Sequence, residues 1–440
     1  MNKKYDVIIV GSGLSGLTTA YKVAKENKSV LVLEKEKILG GRTSSWDDGG
    51  MQIESGFHRH IGFYKEFPNL LREIGINLSD IICWENEAEI KISNKQNIVL
   101  GIAPFFAPIT FFKDTLGNKE ILSLKDKLSL SKFFIKGMTD YTFSPDSLDR
   151  YSVLDYANKL KIEKDVVDYI ATSLSTGIFF LPKEKYSAKL FFGLFYPSLF
   201  RFYNMRIGAY KCGMREAFIE PLAKKIEEYG GVIRKNVDVK KIIIKDDSAV
   251  GVNTNAGVFY ADSVVLATDI NGAQSIIENT KCSSLNYILK IPTISAITVQ
   301  LELSEPIMKQ DRTTFMPTTM IASYTEESRT TFKNSKGRAS IILVSKKEFD
   351  QWSDSKIVSM VTREFKKVGI DVDKKIIEYR VVRHTDKFYD FSKGNDHYRP
   401  DTKTPIKNLF LAGDYTREKM YSTMEGAVIS GINAAEKILK

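Results

Sequence analysis

Residues 5–10 read Tyr-Asp-Val-Ile-Ile-Val, an apolar run of strand length interrupted only by Asp6, the pattern of a parallel strand buried on both faces. The run enters Gly11-Ser-Gly13-Leu14-Ser15-Gly16, and apolar positions from Leu17 to Lys25 then recur at helical spacing. A second apolar run, Ser29 to Leu33, closes on Glu34 and Lys35. These patterns predict strand, tight turn, helix, strand. In the middle of the chain, 208–239 predicts an amphipathic helix, a stop at Gly230-Gly231 and a strand ending near Val239. The pattern continues through Lys240-Lys-Ile-Ile-Ile to Ala261-Asp-Ser-Val-Val-Leu-Ala267-Thr268. Near the C-terminus a short apolar strand, Leu409-Phe-Leu411, leads to Ala412-Gly413-Asp414. The stretch from Met424 has a helical pattern rich in small residues (Gly426, Ala427, Gly431, Ala434, Ala435), which favours close packing.

The glycine turn carries the first chemistry. Gly11 permits the turn, Gly13 lets backbone approach a pyrophosphate, and Gly16 lets the helix lie close on the strand. The helix N-terminus brings free N–H groups and partial positive charge to the phosphates. Glu34 suits the ribose hydroxyls and disfavours a 2′-phosphate. The plain alternative is a glycine-rich turn with no ligand, and at this point both NAD and FAD fit. Gly40-Gly41-Arg42 narrows the choice, because two glycines and a guanidinium fork extend the anion site. Glu54-Ser-Gly56-Phe57-His58 follows.

The set Gly11-Gly13-Gly16, Glu34, Gly40-Gly41-Arg42 resembles the N-terminus of the flavin amine oxidase superfamily, which includes monoamine oxidases, protoporphyrinogen oxidases and carotenoid desaturases. The resemblance implies FAD as cofactor. It also implies an α/β fold: a discontinuous Rossmann-like FAD-binding domain (1–75, 206–270 and 400–440) with a mixed α+β substrate domain (76–205 and 271–399). It places a backbone contact to adenine at Val239, Ala267-Thr268 near the pyrophosphate, and Leu14, Ser15, Lys35, Gly56 and Phe57 along the cofactor. Gly413 and Asp414 are expected against the ribityl chain. Met424 is expected at a helix N-terminus aimed at the flavin N1–C2=O edge, where the helix dipole favours an anionic reduced flavin by roughly 0.3–1 kcal/mol. An ordinary terminal core helix is the bland reading of that segment.

Two further matches point within the superfamily. Glu54-Ser-Gly56-Phe57-His58-Arg59-His60-Ile-Gly62-Phe-Tyr64, followed by Leu70-Leu-Arg-Glu-Ile-Gly75-Ile, is similar to the phytoene desaturase branch, including its squalene-associated members. So are Arg399-Pro400, Leu411 to Thr416, and Ser422-Thr-Met-Glu-Gly-Ala-Val428. Amine oxidases carry an aromatic before the Met-Glu-Gly step, where this chain has Thr423, and tend to have Glu at the position of Asp414. The expected activity is therefore an FAD-dependent, desaturase-like oxidoreductase moving hydride between flavin N5 and a long apolar isoprenoid, carotenoid-like or other lipid. The alternatives are a flavin amine oxidase, a reductase or isomerase of a lipid double bond, and an FAD-containing lipid carrier without enzymatic activity. Desaturases are apolar after the motif histidine, so Arg59 and His60 mark a more polar lipid or another reaction direction.

If 58–60 is a strand, His58 and His60 share a face, making them the candidate proton-transfer groups, with packing beside the cofactor as the alternative role. His384 and His397 read as ordinary surface or loop residues. Aromatic stretches at Ile102–Phe112, Phe179–Leu181 and Leu190–Phe200 suit either a core or a tunnel whose mouth meets a membrane, with Arg201 and Arg206 facing headgroups.

Composition limits the remaining choices. At roughly 150 residues per domain, 440 residues allow two or three domains, and 43% hydrophobic with 27% charged residues is ordinary for a folded chain. The most apolar stretch, Leu190 to Tyr203, is broken by Pro197, Ser198 and Arg201, so no membrane span is expected. Three scattered cysteines and four histidines argue against a disulfide framework or a metal site, and Met1–Tyr5 shows no leader pattern. The expected location is cytoplasmic, with peripheral contact on the inner membrane face. The net charge of +10 suits an anionic membrane surface, while no nucleic-acid motif accompanies it. One dinucleotide fingerprint leaves no separate NAD(P)H domain, so electrons are expected to pass to a quinone, oxygen or a protein carrier.

Overall fold

Three stretches remote in sequence build the first sheet of the computed structural model, which describes residues 4–93, 96–111, 113 and 122–440. Its strands run in the order 232–234, 30–33, 4–10, 257–266, 248–254, 239–245, with Leu409–Leu411 beside 257–266. Strand β1 (Lys4–Val10) is central and parallel to both neighbours, with Val7 opposite Val30 on β2 (Val30–Leu33) and opposite Ser263. Its continuous apolar sequence is explained by that place, since Ile8 and Ile9 are buried on both faces. Helix α1 (Leu14–Lys25) and the C-terminal helix Met424–Leu439 pack together on this sheet. A Cβ at Gly431 would lie 2.4 Å from Ser15 O, and Thr19 Oγ1 donates to Gly431 O at 3.1 Å. The small residues near the C-terminus therefore serve a helix contact. Ile270–Thr280 also packs here, Ile242 N–H donating to Thr280 Oγ1 at 3.0 Å.

The second sheet runs 376–389, 293–303, 337–343, 321–326, 314–315, 87–91, 97–101 and is mainly antiparallel. Period-two alternation separates its faces. Ile297, Val299, Leu301, Ala339 and Ile341 cover the helix Asp354–Lys367 through Ile357, Val361 and Phe365. Thr298, Gln300, Ser340 and Arg338 occupy the other parity. That face meets the two-stranded sheet of Ser45–Asp48 and Met51–Glu54: Gln300 Nε2 donates to Glu54 O at 2.5 Å and Arg338 bonds Gln52 O. A three-stranded sheet, His60–Ile61, Ile207–Tyr210 and Ile82–Glu85, lies between.

The helical segment 124–199 divides the aromatic stretches. Phe191 and Phe192 are buried against Phe133, and Phe192 fills the place a Cβ at Gly137 would take. Phe179 and Leu181 are core residues, whereas Phe105, Phe106, Ile109, Leu199 and Phe200 are exposed. Phe112 lies outside the described residues. Two expectations are corrected here. Residues 58 and 59 are not in a strand, so His58 and His60 do not share a sheet face. Arg201 and Arg206 are both engaged within the protein. Arg201 Nη1 donates to Tyr64 O at 2.7 Å, and the Arg206 guanidinium lies 3.7 Å from the Trp84 ring centre and 3.6 Å from that of Phe106. Among the described residues no helix is long and apolar enough to cross a membrane.

Candidate active site

The turn between β1 and α1 is shaped by close backbone packing. Gly11 has φ +103°, and a Cβ there would lie 2.8 Å from Ala267 O; one at Gly16 would lie 2.2 Å from Gly11 O. A Cβ at Gly13 would meet nothing within 4 Å. Two glycines thus make the turn, and the third leaves open space before the helix N-terminus. That N-terminus has no side-chain cap and no acid in its first turn, which begins Leu14-Ser15-Gly16, so its N–H groups and positive end remain for an anion. Glu34, buried at the end of β2, accepts from Ser12 N–H at 2.8 Å and Ser12 Oγ at 2.6 Å, holding a carboxylate beside the turn. Its carbonyl accepts from Val237 N–H at 2.8 Å, while Val239 lies two residues on, at the start of the 239–245 strand. Lys35 is exposed.

Gly40 (φ +105°) donates its N–H to Ser12 O at 3.0 Å, bringing Gly40-Gly41-Arg42 against the same turn. Arg42 Nη2 then reaches Asp414 Oδ1 at 2.5 Å, and its guanidinium lies 4.7 Å from the Phe388 ring centre. Burial opposes the Arg42 charge, but pairing with Asp414 outweighs it and holds the guanidinium firmly protonated. Gly413 N–H donates to Ser430 Oγ at 2.7 Å, and Asp414 O accepts from Ser422 N–H at 3.0 Å. Ser422 adopts φ +47°. Thr423 caps the C-terminal helix by accepting from Gly426 N–H at 3.0 Å, so Met424 is its first residue. The next residue, Glu425, accepts backbone N–H groups from Lys65, Glu66 and Phe67, tying this helix to the start of Glu66–Glu73.

The histidines separate. His58 is half-buried, and its Nδ1 donates to Gly56 O at 3.0 Å, leaving Nε2 as the acceptor. Burial, with the Arg42 and Arg59 charges, lowers its pKa to about 4. His60 is fully buried in a ring of Tyr64, Phe67, Trp84 and Tyr210, and burial lowers its pKa to about 3. His384 corrects the surface reading. It is buried on the 376–389 strand with Nε2 2.5 Å from Ser55 O, and its charged form is disfavoured first by burial and also by Arg42 and His58. His397 is exposed.

Arg59 is enclosed, with Nε 2.6 Å from Glu85 Oε1, Nη1 3.0 Å from Glu327 Oε1, and Thr325 accepting from Nη2. Its charge is neutralised within the protein. Glu54 accepts from Met214 N–H at 3.0 Å; burial, then repulsion from Glu327, pushes its pKa up to about 8. Beside His58, Phe57 packs with Ala322 and Ile342, and Phe180 and Val344 border this apolar group.

An uncapped helix start, an open Gly13, a carboxylate at the end of β2 and a paired Arg42–Asp414 fit an extended dinucleotide that bridges both chain ends. The model of flavin containing amine oxidoreductases matches residues 14–439.

The chain belongs to that family.

FAD is accordingly its cofactor, and this flavin-containing oxidoreductase has distant relatives among carotenoid enzymes. The chain is 24% identical to a 15-cis-phytoene desaturase of Solanum lycopersicum, covering 100% of this chain and 78% of that protein. It is 26% identical to a zeta-carotene desaturase of Synechocystis, covering 98% and 97%. In fold it is similar to an oxidoreductase from Methanosarcina mazei (TM-score 0.77, 18% identity, 98% of this chain and 100% of that one). It is also similar to putrescine oxidase bound to putrescine (TM-score 0.76, 16% identity, 99% of each chain). Sequence reasoning missed His384 and Phe388, and it named Phe180 only within an aromatic stretch suited to either a core or a tunnel. The signals of His384 and Phe388 are weak, because both lie on the 376–389 strand in a segment read only as substrate domain and are placed by strand register.

Proposed function

We propose that this flavoenzyme is desaturase-like, removing hydride and a proton from a long apolar isoprenoid or other lipid. The apolar wall of Phe57, Phe180, Ala322, Ile342 and Val344 beside His58 carries the reading. Three nearby acids are already engaged: Glu85 and Glu327 with Arg59, and Glu54, which burial keeps protonated, with Met214 N–H. An ammonium substrate would find neither an open acid in this set nor an aromatic at Thr423, which caps a helix instead. Arg59 does not signal a polar lipid, because it is paired internally.

Bound FAD supplies the two-electron acceptor. The start of α1 and Arg42 would hold its phosphates, Glu34 its ribose and Asp414 its ribityl chain. His58 is proposed as the base, with a neutral ring held by Gly56 and Nε2 free to take a proton; His60 serves as packing. The proposed division remains 1–75, 206–270 and 400–440 for FAD and 76–205 with 271–399 for substrate, although Ile270–Thr280 packs on the FAD sheet.

The relatives named as desaturases of phytoene and zeta-carotene support a carotenoid-like substrate. Anaerobic mixing with 15-cis-phytoene should bleach the flavin absorbance, whereas putrescine should leave it oxidised; the reverse result rejects the reading. Air, a quinone analogue and a carrier protein then compete to restore the band.

Peripheral membrane contact is part of the proposal. Phe105, Ile109 and Phe200 are 63%, 83% and 69% exposed, and Phe105 meets Phe202 edge-on at 6.1 Å. Such a patch suits an apolar surface. Co-sedimentation with anionic vesicles should fall in a Phe105→Ser/Phe200→Ser variant, and equal sedimentation rejects the contact.

A further inference from the structure

Phe180 has φ +66°, a left-handed conformation that bulky side chains rarely adopt. It ends the helix Thr172–Phe179, and both of its backbone groups are held. Its N–H donates to Thr176 O at 2.9 Å, and its carbonyl accepts from Ser345 N–H at 2.8 Å. The helix is fixed to the second sheet by Ser323 Oγ donating to Gly177 O at 3.0 Å and by the Phe315 ring, which occupies the place of a Cβ at Gly177. Glycine or asparagine would make this turn with less strain.

The left-handed turn sends adjacent rings to different places. Phe179 enters the core against Tyr186, Phe391 and Tyr421. Phe180, only half-buried, packs on Phe57, Ala322 and Ile342 and meets Phe388 edge-on at 5.1 Å. Phe57 precedes His58, and Phe388 lies under the Arg42 guanidinium. The Phe180 ring thus joins the helical substrate segment to residues around the cofactor.

We propose that Phe180 is a specificity-determining residue whose ring sets how bent a chain may be where it reaches the flavin. This rests on the desaturase-like reading above. A ring held by a pinned, strained backbone yields less than one on a flexible loop, so it discriminates between chains of equal composition and different geometry. Neither its backbone bonds nor its ring contacts involve the glycine turn, Glu34 or Asp414, so FAD retention should be independent of its size.

The test uses FAD-loaded wild type, Phe180→Gly and Phe180→Leu, each mixed anaerobically with 15-cis-phytoene or all-trans-phytoene in mixed micelles. The readouts are flavin content, flavin spectrum and the ratio of kcat/KM for the two isomers. The expected result is at least a tenfold change in that ratio in Phe180→Gly and a smaller change in Phe180→Leu, with flavin content unchanged. Should the glycine variant fail to fold, the leucine variant decides. An unchanged ratio in a flavin-loaded variant overturns the role of Phe180 and leaves the desaturase-like reading standing. Wild-type flavin that neither isomer bleaches overturns both.

Discussion

Arg42 Nη2 lies 2.5 Å from Asp414 Oδ1, a partly buried ion pair between residues 372 positions apart. It fixes the glycine-rich N-terminal segment to the turn before the C-terminal helix, so both ends of the chain meet at the proposed cofactor site. A charge-assisted hydrogen bond of this kind contributes about 1.5–3 kcal/mol. Arg42→Met and Asp414→Asn should each weaken FAD retention by about tenfold or more, measured as flavin per chain after dialysis. Full retention in both variants would show that the pair is dispensable for the cofactor.

Gly13 and Gly16 should respond differently to the same methyl group. Gly13 has φ −63° and open space at its Cβ position, so Gly13→Ala should keep the apoprotein melting temperature while flavin content falls. Gly16→Ala places a Cβ 2.2 Å from Gly11 O and should lower apoprotein stability by about 1–3 kcal/mol, the usual range for overpacking. Thermal melts of the two apoproteins check this contrast.

Glu54 gives the protein a specific pH response. Its pKa is raised from 4.5 to about 8, so the folded state holds a proton that the unfolded state releases between those values. Stability should therefore fall as pH rises through that window, by up to about 1.4 kcal/mol per unit. Glu54→Gln keeps an acceptor for Met214 N–H and should flatten this slope. Urea unfolding from pH 5 to 8 measures it, and equal slopes in both proteins would contradict the assignment.

His58 and His60 should separate in kinetics. With the His58 pKa lowered to about 4, its base form persists well below pH 6.5. The kcat/KM for flavin bleaching should stay flat from about pH 5 to 8 for this group. His58→Ala should reduce it by about 10²-fold or more, with flavin content kept. His60→Phe preserves the aromatic ring and should change the rate by less than about twofold. Equal losses in the two variants would remove the distinction.

The Rossmann-like fold and the meeting of its remote segments were legible because each part leaves a local mark: an apolar strand, a glycine turn, an acid, and a small-residue helix after Gly413-Asp414. The substrate half is written in long-range register. His384 reaches Ser55 across 329 positions, and nothing in its own neighbourhood of sequence predicts burial there. Arg59 read as the mark of a more polar lipid or another reaction direction because its partners, Glu85 at the end of the 82–85 strand and Glu327 just after the 321–326 strand, are remote in sequence. The 58–60 strand expectation failed because the backbone turns at Gly56 to let His58 bond its carbonyl, and pairing begins only at His60. The aromatic stretches have one composition but two fates: Phe191 and Phe192 pack on Phe133 and Phe179 packs on Phe391 and Tyr421, while Phe105, Ile109 and Phe200 are exposed.

The most direct test is the chromophore of the gently purified protein. The convergence of Gly11–Gly16, Glu34, Arg42, Asp414 and Met424 predicts a yellow protein that releases one FAD per chain on acid denaturation. A colourless protein that takes up no FAD on reconstitution, or one that releases FMN alone, would contradict it.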